Sequence, residues 1–361
     1  MRDNMILISN LAKKILERSN SYKYYRNEFE QNKKRIEKLE KTVKKQEKIA
    51  AKEHAKIIKK QEKINEKQKK INESNNKLVN SLFVDYQLTP TPRLKNFQDL
   101  SVEFLKLIDN ICLKHDITWM IEGGLVLGAV RHGGFIPWDD DLDIGMLRDD
   151  YDHFIAVIEE EFERIGIKEN IKVVYKKRDW YDKKPEAFLQ VLYYDESKIG
   201  RSLAGVDVFP YDFLADYDGR NLSDEYEEAK KKFYWDLTHG VERKDAYKNL
   251  YKNLNLTHEK QNHFIHGIEG PAGKRGVIDV MAFETDKMLP FERINFHGAM
   301  LPAPKDTDYY LKLIYKDFWG IPDAITVHNR MPRIRRAPNI SEILEKNVMK
   351  LRQINENFDD L

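Results

Sequence analysis

From Met1 to Gln87 the chain contains neither glycine nor proline, the two residues least compatible with a helix interior. Within that stretch an apolar residue recurs every seven positions, at Phe29, Ile36, Val43, Ala50, Ile57, Ile64, Ile71 and Leu78. A strict seven-residue repeat implies a left-handed supercoil. The companion seam is poor: three residues on come Asn32, Leu39, Gln46, Glu53, Lys60, Lys67 and Ser74, and four on come Gln61, Gln68 and Asn75. Two readings stay open. One is a self-associating coiled coil with a polar-laced second seam, which would make the protein a homo-oligomer through residues 29–82. The other is a single helix, packed on the rest of the chain or solvated. Fifty residues of helix reach about 75 Å in either case, so the segment is also a spacer.

Charge separates this arm from the rest of the chain. The 62 basic and 60 acidic residues leave +2 overall, which gives no polyanion-binding signature and argues against a nucleic-acid partner. Residues 31–80 hold 17 Lys/Arg against 7 Glu, a local +10, so everything else carries −8. A lysine-rich face is ordinarily a solvated one; peripheral contact with anionic lipid at the inner face of a membrane is the alternative. The single cysteine, Cys112, sits in an apolar run, which excludes an intrachain disulfide and a multi-cysteine metal site and reads as a buried thiol. No apolar run is long enough to cross a bilayer, and Met5-Ile6-Leu7-Ile8 is too short for a signal peptide. The expectation is a cytoplasmic protein.

Pro90 and Pro92 punctuate the end of the arm. The chain then divides into a basic helical arm over 1–85, a catalytic body over 86–337 and a C-terminal helix over 338–361. After an amphipathic helix at 93–118, strands are expected at 119–122, 141–146, 171–175, 188–194 and 205–209. Helices are expected at 125–131, 149–165, 224–238, 245–254 and 307–318. Interspersed strands and helices make the body α+β or α/β. Hydrophobic residues at 41% are sufficient for its core.

Chemistry concentrates in residues 121–144, where Asp139, Asp140, Asp141 and Asp143 fall within five positions. At ~5 Å and an effective dielectric of 20 each carboxylate pair repels by about 3 kcal/mol. Either solvent or a hard cation must offset that cost. On a strand, Asp139, Asp141 and Asp143 would share one face while Leu142 and Ile144 point into the core, which favours the cation. An all-oxygen donor set indicates Mg²⁺ or Mn²⁺. The plain alternative for Asp139 and Asp140 is turn chemistry after Pro137, and for Asp140 that is the reading adopted. Upstream, Gly123-Gly124 follows a short strand and opens a helix, a place where an anion can approach the backbone. A third carboxylate stands at Asp207, between Val206 and Val208, where an aspartate is unfavourable by propensity. Asp195 and Asp212, flanked by turn-like sequence, are weaker candidates.

A glycine pair at a helix start followed by two aspartates on the next strand resembles the nucleotidyltransferase fold of polymerase-beta type. The run Leu127-Gly128-Ala129-Val130-Arg131-His132-Gly133-Gly134-Phe135-Ile136-Pro137-Trp138-Asp139-Asp140-Asp141-Leu142-Asp143-Ile144 closely resembles the LicD family of phosphorylcholine transferases, relatives of fukutin-related protein. Looser agreement continues through Asp207-Val208-Phe209-Pro210, Met288 to Glu292, Leu301 to Lys305, Tyr310 to Trp319, Pro322 and His328. The resemblance implies a mixed-sheet, nucleotidyltransferase-fold catalytic domain; with the long N-terminal coiled-coil helix read from the heptads in front of it, the chain is α+β, and residues 1–85 inherit no family function. It implies a phosphotransferase that moves phosphorylcholine or a similar phospho-alcohol from a CDP-alcohol donor to a hydroxyl of a cell-surface glycan precursor. Such an acceptor belongs to lipopolysaccharide or teichoic acid assembly and can be lipid-linked. By the same resemblance Asp141, Asp143 and Asp207 are the catalytic and metal-binding set, with Asp139 beside them. Asp207 is also a candidate base. Gly123, Gly124, Arg131, His132, Lys305 and His328 would contact the donor phosphates; before the resemblance, Arg131 and His132 read equally well as helix surface and helix cap. Trp138 reads as core packing or a base-stacking platform. Tyr315-Lys316-Asp317 stands where the family often has Tyr-Gly-Asp, which leaves that turn open. The zinc-finger cysteines of the animal relatives are missing, so no zinc site carries over. Rival readings are a true nucleotidyltransferase acting on a small molecule or glycan, a non-catalytic coiled-coil assembly protein, and an Asp-x-Asp glycosyltransferase, which fits the glycine-pair helix badly.

Overall fold

The computed structural model describes residues 2–85, 90–137, 139–175, 188–196, 202–273, 278–320 and 339–361. The chain separates into two units, Met1–Ser81 and Leu82–Leu361. Helix α1 runs Arg2–Asp85, as the lack of glycine and proline requires. Its 84 residues amount to roughly 125 Å at 1.5 Å per residue. Along its heptad seam Phe29, Ile36, Val43, Ile57, Ile64 and Ile71 are all between 44% and 67% exposed. Short i,i+4 bonds from Gln61 to Asn65 and from Gln68 to Asn72 support the helix locally.

The second unit is α+β. Helix α2 (Pro92–Lys114) starts as the sequence predicts, with Pro92 in its first turn and the Thr91 side chain accepting from Leu94 N, an N-cap. Strand β1 (Trp119–Ile121) leads into α3 (Gly124–His132), then β2 (Leu142–Leu147) and α4 (Arg148–Arg164). A 3-10 turn at Lys168–Asn170 precedes β3 (Ile171–Tyr175), β4 (Leu189–Tyr193) and the long β5 (Ala204–Leu214). Helices α5 (Ser223–Thr238) and α6 (Arg243–Leu254) follow, then β6 (Leu256–Thr257), β7 (His263–His266), β8 (Phe283–Glu284) and α7 (Thr285–Met288). Strands β9 (Glu292–Phe296) and β10 (Ala299–Ala303), α8 (Thr307–Tyr315) and α9 (Ile340–Glu356) complete it.

The sheet runs β1-β2-β5-β4-β3, with β2 parallel to β5 and the other neighbours antiparallel. Strand β5 is its spine and continues past the expected end at 209. Strand β4 pairs with residues 204–208 and β7 with 211–214. Pro210 falls between the two partners, where its missing N–H costs no ladder bond, and its carbonyl accepts from Gly267 N at 2.7 Å. Strand β2 begins at Leu142, so Asp139 and Asp141 lie in the approach to the strand rather than on it. Three consecutive aspartates resist β structure, and the face-sharing argument holds only for residues from 142 on. There Leu142, Ile144 and Met146 are buried.

Two cores form. The larger joins α2, the sheet, α3, α4 and α8, and α9 packs along α2. Cys112 is fully buried in it, and burial pushes its thiol pKa well up. Asn347 of α9 accepts from Tyr193 Oη at 2.7 Å and donates to Asp195 at 2.7 Å, so Asp195 serves the packing of this helix. The smaller core lies between α5, α6 and the β5–β7 end of the sheet. Arg148, the first residue of α4, ties it down: its guanidinium bonds both oxygens of Asp212 at 2.8 and 2.9 Å and both of Glu269 at 2.9 Å. Tyr251 completes Asp212 at 2.7 Å and Tyr247 bonds Glu269. The separate β9–β10 hairpin turns at His297 and Gly298, both with positive φ, the signature of a type I′ turn. His297 N bonds Gly133 O at 2.8 Å, so the hairpin buttresses the loop after α3.

Candidate active site

The carboxylates converge because β2 and β5 run parallel, in register. Asp143 lies directly across from Asp207, and Asp207 across from Gln190 on β4. Gln190 Nε2 donates to Asp207 Oδ1 at 2.5 Å, which orients the aspartate across the strands. Burial pushes the Asp143 pKa well up, and the carboxylates of Asp207, Asp141, Glu122 and Asp139 push it further. Thus four acids surround a fifth.

The glycine pair closes over this cluster. Gly123, the N-cap of α3, has φ 54° and ψ −118°, a backbone conformation that a side chain would strain. A Cβ there would stand 3.6 Å from Tyr315 Oη and 4.0 Å from Asp143 Oδ2. A Cβ on Gly124 would stand 2.5 Å from Asp139 Oδ2, so no larger residue fits while that carboxylate holds its place. The N-terminus of α3 therefore faces Asp139 and Asp143. Tyr315, at the end of α8, closes one side; burial and the charges of Asp143 and Asp139 raise its hydroxyl pKa, against which Arg131 works. The next residue, Lys316, has φ 59° and ψ −97°. This is the turn where the family pattern has glycine, and here a lysine accepts the strain.

The remaining candidates lie farther out. Arg131 Nη1 donates to the carbonyls of Phe318 and Gly320 at 2.9 and 3.2 Å, and its Nε to His132 Nε2 at 3.1 Å. It thus anchors the loop after α8; burial lowers its pKa. His132 is exposed at the end of α3, and partial desolvation of its ring, with the charge of Arg131, lowers its pKa. Lys305 is exposed before the start of α8, with its N–H on Met288 O. Tyr315 is at the other end of that helix, about 12 Å along the axis from Thr307. Asp140 is buried. Asp212 belongs to the Arg148 cluster. Trp138, Pro322 and His328 fall outside the described residues.

Sequence reasoning missed Gln190, Tyr315 and Glu122. Gln190 left a signal as an amide in the apolar strand Leu189–Tyr193, and Glu122 as a carboxylate closing an apolar strand. Among the described residues no group of three carboxylate, histidine or cysteine side chains is already arranged to hold a metal ion. The donors nevertheless suit a hard cation in chemistry and proximity: all are carboxylate oxygens, and the main charge effects on Asp143 come from other acids. The fit is that of a cluster of acids drawn together at one point rather than of a closed ligand shell.

Residues 116–240 match the family model described as LicD/FKTN/FKRP, nucleotidyltransferase domain. The chain carries a LicD-family domain. That domain holds the glycine pair, the acidic run, Gln190 and Asp207. The chain is 41% identical over 64 residues to the lipopolysaccharide cholinephosphotransferase LicD of Haemophilus influenzae, covering 18% of this chain and 24% of that protein. It is 38% identical over 98 residues to an uncharacterised protein of Rickettsia typhi, covering 25% and 31%. It is 50% identical over 34 residues to the mouse ribitol 5-phosphate transferase FKRP, covering 9% and 7%. The chain thus spans a third or less of the length of the curated relatives it matches.

Proposed function

We propose that this chain is a metal-dependent phosphotransferase of nucleotidyltransferase fold. It would pass a phospho-alcohol, phosphorylcholine or a close analogue, from a CDP-activated donor to a hydroxyl of a glycan precursor. The observation that carries the reading is the pairing of Asp143 with Asp207 across parallel strands, beneath the Gly123–Gly124 turn, inside a segment matching the LicD family model.

Asp141, Asp143 and Asp207, with Asp139 beside them, would hold Mg²⁺ or Mn²⁺. When bound, such an ion neutralises the donor pyrophosphate and the charge that develops on it. The chain's own residues supply position. The start of α3 offers amide N–H groups to phosphate oxygens, and Tyr315 limits water on one side. The acceptor oxygen attacks the β-phosphorus in line with the bond to the leaving group. A new P–O bond forms, the pyrophosphate bond breaks, and CMP departs with the bonding pair. Asp207, held by Gln190, is placed to take the acceptor's proton. Arg131 acts by fixing the 318–320 loop; His132, Lys305 and His328 remain candidate donor contacts.

The test is CMP release from a panel of CDP-alcohols and nucleotide sugars with Mg²⁺ or Mn²⁺ and mixed cell-surface glycans, against Asp141→Asn and Asp143→Asn. Metal-dependent CMP from one donor, lost in both variants, supports the reading. Nucleotide retained on the acceptor would make it a nucleotidyltransferase, and absence of both metal and nucleotide binding would sink it.

The exposed heptad seam of α1 supports a homo-oligomer through residues 29–82. Light scattering on the full chain and on Ile57→Lys/Ile64→Lys checks this; a monomer in both would leave a solvated helix. No described helix is long and apolar enough to cross a membrane. We propose a cytoplasmic protein whose basic arm is solvated, with peripheral contact at the inner face of a membrane as the alternative.

A further inference from the structure

We propose that Tyr310 and Tyr211, backed by the Glu122–His266 pair, are positioning residues that set the glycine turn of this site and commit the Gly123 amide to the protein rather than to the substrate. The proposal rests on the transferase reading.

Four side chains from four elements meet in the core behind the aspartates. Glu122 follows β1, Tyr211 is on β5, His266 ends β7 and Tyr310 is on α8; none is more than 3% exposed. His266 Nε2 lies 2.5 Å from Glu122 Oε1 and 2.8 Å from Tyr211 Oη. Glu122 and Tyr310 stand close enough to Tyr211 to raise its hydroxyl pKa further after burial has done so. Tyr310 reaches the turn itself, where Gly123 N donates to its Oη at 2.8 Å. Buried polar groups of this kind are costly unless hydrogen-bonded, and apolar side chains would fill the same volume more cheaply. Even so, Glu122 Oε2 and His266 Nδ1 are buried with no hydrogen-bond partner among the described residues. Stability alone does not explain such a cluster.

Its placement does. Asp143 and Gly145 share one face of β2, and Asp207 and Tyr211 share one face of β5. A Cβ on Gly145 would stand 2.5 Å from the Tyr211 ring and 3.0 Å from Glu122 Oε2, so the strand leaves room for the network two residues from Asp143. Glu122 is bonded on three sides: its carboxylate to His266, its N–H to Asp143 O at 2.9 Å, and its carbonyl to Leu125 N at 3.0 Å. One residue therefore joins the network, the catalytic strand and the first turn of α3. With Gly123 N held by Tyr310, an incoming phosphate meets the helix at Gly124 N.

The experiment uses the full chain with Tyr310→Phe and Tyr211→Phe, each losing only a hydroxyl. The control is Tyr309→Phe, whose hydroxyl accepts from Glu284 N on another element. Three quantities are read: amide exchange over residues 120–127, Mn²⁺ binding, and CMP release from CDP-choline or whichever donor the panel selects. Exchange over 120–127 should quicken at least about tenfold in Tyr310→Phe. The same variant should lose kcat by about ten- to a hundredfold while Mn²⁺ affinity stays within about twofold. Tyr211→Phe should follow in the same direction, and the control should change neither exchange nor kcat. Exchange like that of the control overturns the proposal, even with a lowered Tm. Quicker exchange with unchanged kcat also overturns it, since the turn would then matter only to folding. If the wild-type protein releases CMP from no donor and binds neither metal nor nucleotide, the transferase reading falls by itself, and exchange still decides whether these hydroxyls set the turn.

Discussion

Strand β5 carries two aspartates five residues apart, Asp207 and Asp212, and the strand's alternation sends them to opposite faces. Their surroundings differ in kind. Asp212 shares the Arg148 guanidinium with Glu269 and adds a tyrosine hydroxyl. Glu269 is fully buried, which works to raise its pKa, yet the Arg148 charge and the hydrogen bonds from Arg148 and Tyr247 together outweigh that and hold it below the usual carboxylate range. Asp207 instead faces Asp143, which burial, Asp207 itself and three further acids drive the other way. The charge that acts most on the buried acid Glu269 is a cation, whereas the charges that act most on Asp143 are those of other acids. The difference separates a strut from a socket within one strand.

The largest test of this contrast is Arg148→Met. It leaves Asp212 and Glu269 buried without their cation and should cost about 3–5 kcal/mol in denaturant unfolding. If the loss were under ~1 kcal/mol, the strut would be illusory. Asp143→Asn should act with the opposite sign. Removing one of several like charges should raise metal-free stability by about 1 kcal/mol. Millimolar Mg²⁺ should then lift Tm in the wild type and leave the variant unmoved, with both effects removed by chelation. A smaller effect lies at Glu161. Burial works to raise its pKa, but hydrogen bonds from Lys114, His115 and Arg164 hold it down to about 2. Its folded pKa is below the unfolded value of about 4.3. The stability it contributes is therefore complete above that value and lost as pH falls toward about 2. Subtracting the Glu161→Gln profile from the wild-type one should isolate that decline. The smallest effect is Lys95→Ala, which removes an exposed pair with Asp99 and should change stability by no more than about 0.5 kcal/mol.

Local pattern made the body's early elements legible. The alternation of Ile171 to Tyr175 placed β3 to the residue, and Thr91-Pro92 marked the start of α2. The acidic run, the glycine pair and Asp207 could be read together because each breaks a propensity rule. What escaped needed long-range pairing. Strand β7 is four residues with two histidines, too short and too polar for periodicity to reveal, and it exists because β5 offers it an edge. The β9–β10 hairpin hid behind His297, since a histidine at positive φ gives none of the warning that Asn-Gly would. Gln190, Tyr315 and the Glu122–His266 pair could not be found by spacing at all, because residues 122 and 266 meet only through the topology.

Pro210 gives the spine a consequence for assembly during folding. A strand that alternates in and out can pair one residue out of step and turn every side chain to the wrong face. A proline has no donor to offer, and Pro210 stands in the gap between β4 and β7, where that edge of β5 needs none. Sliding β5 by one residue would bring the ring into a rung that calls for an N–H. Pro210 thus works as a notch that indexes the strand and selects the one alignment in which Asp207 meets Asp143.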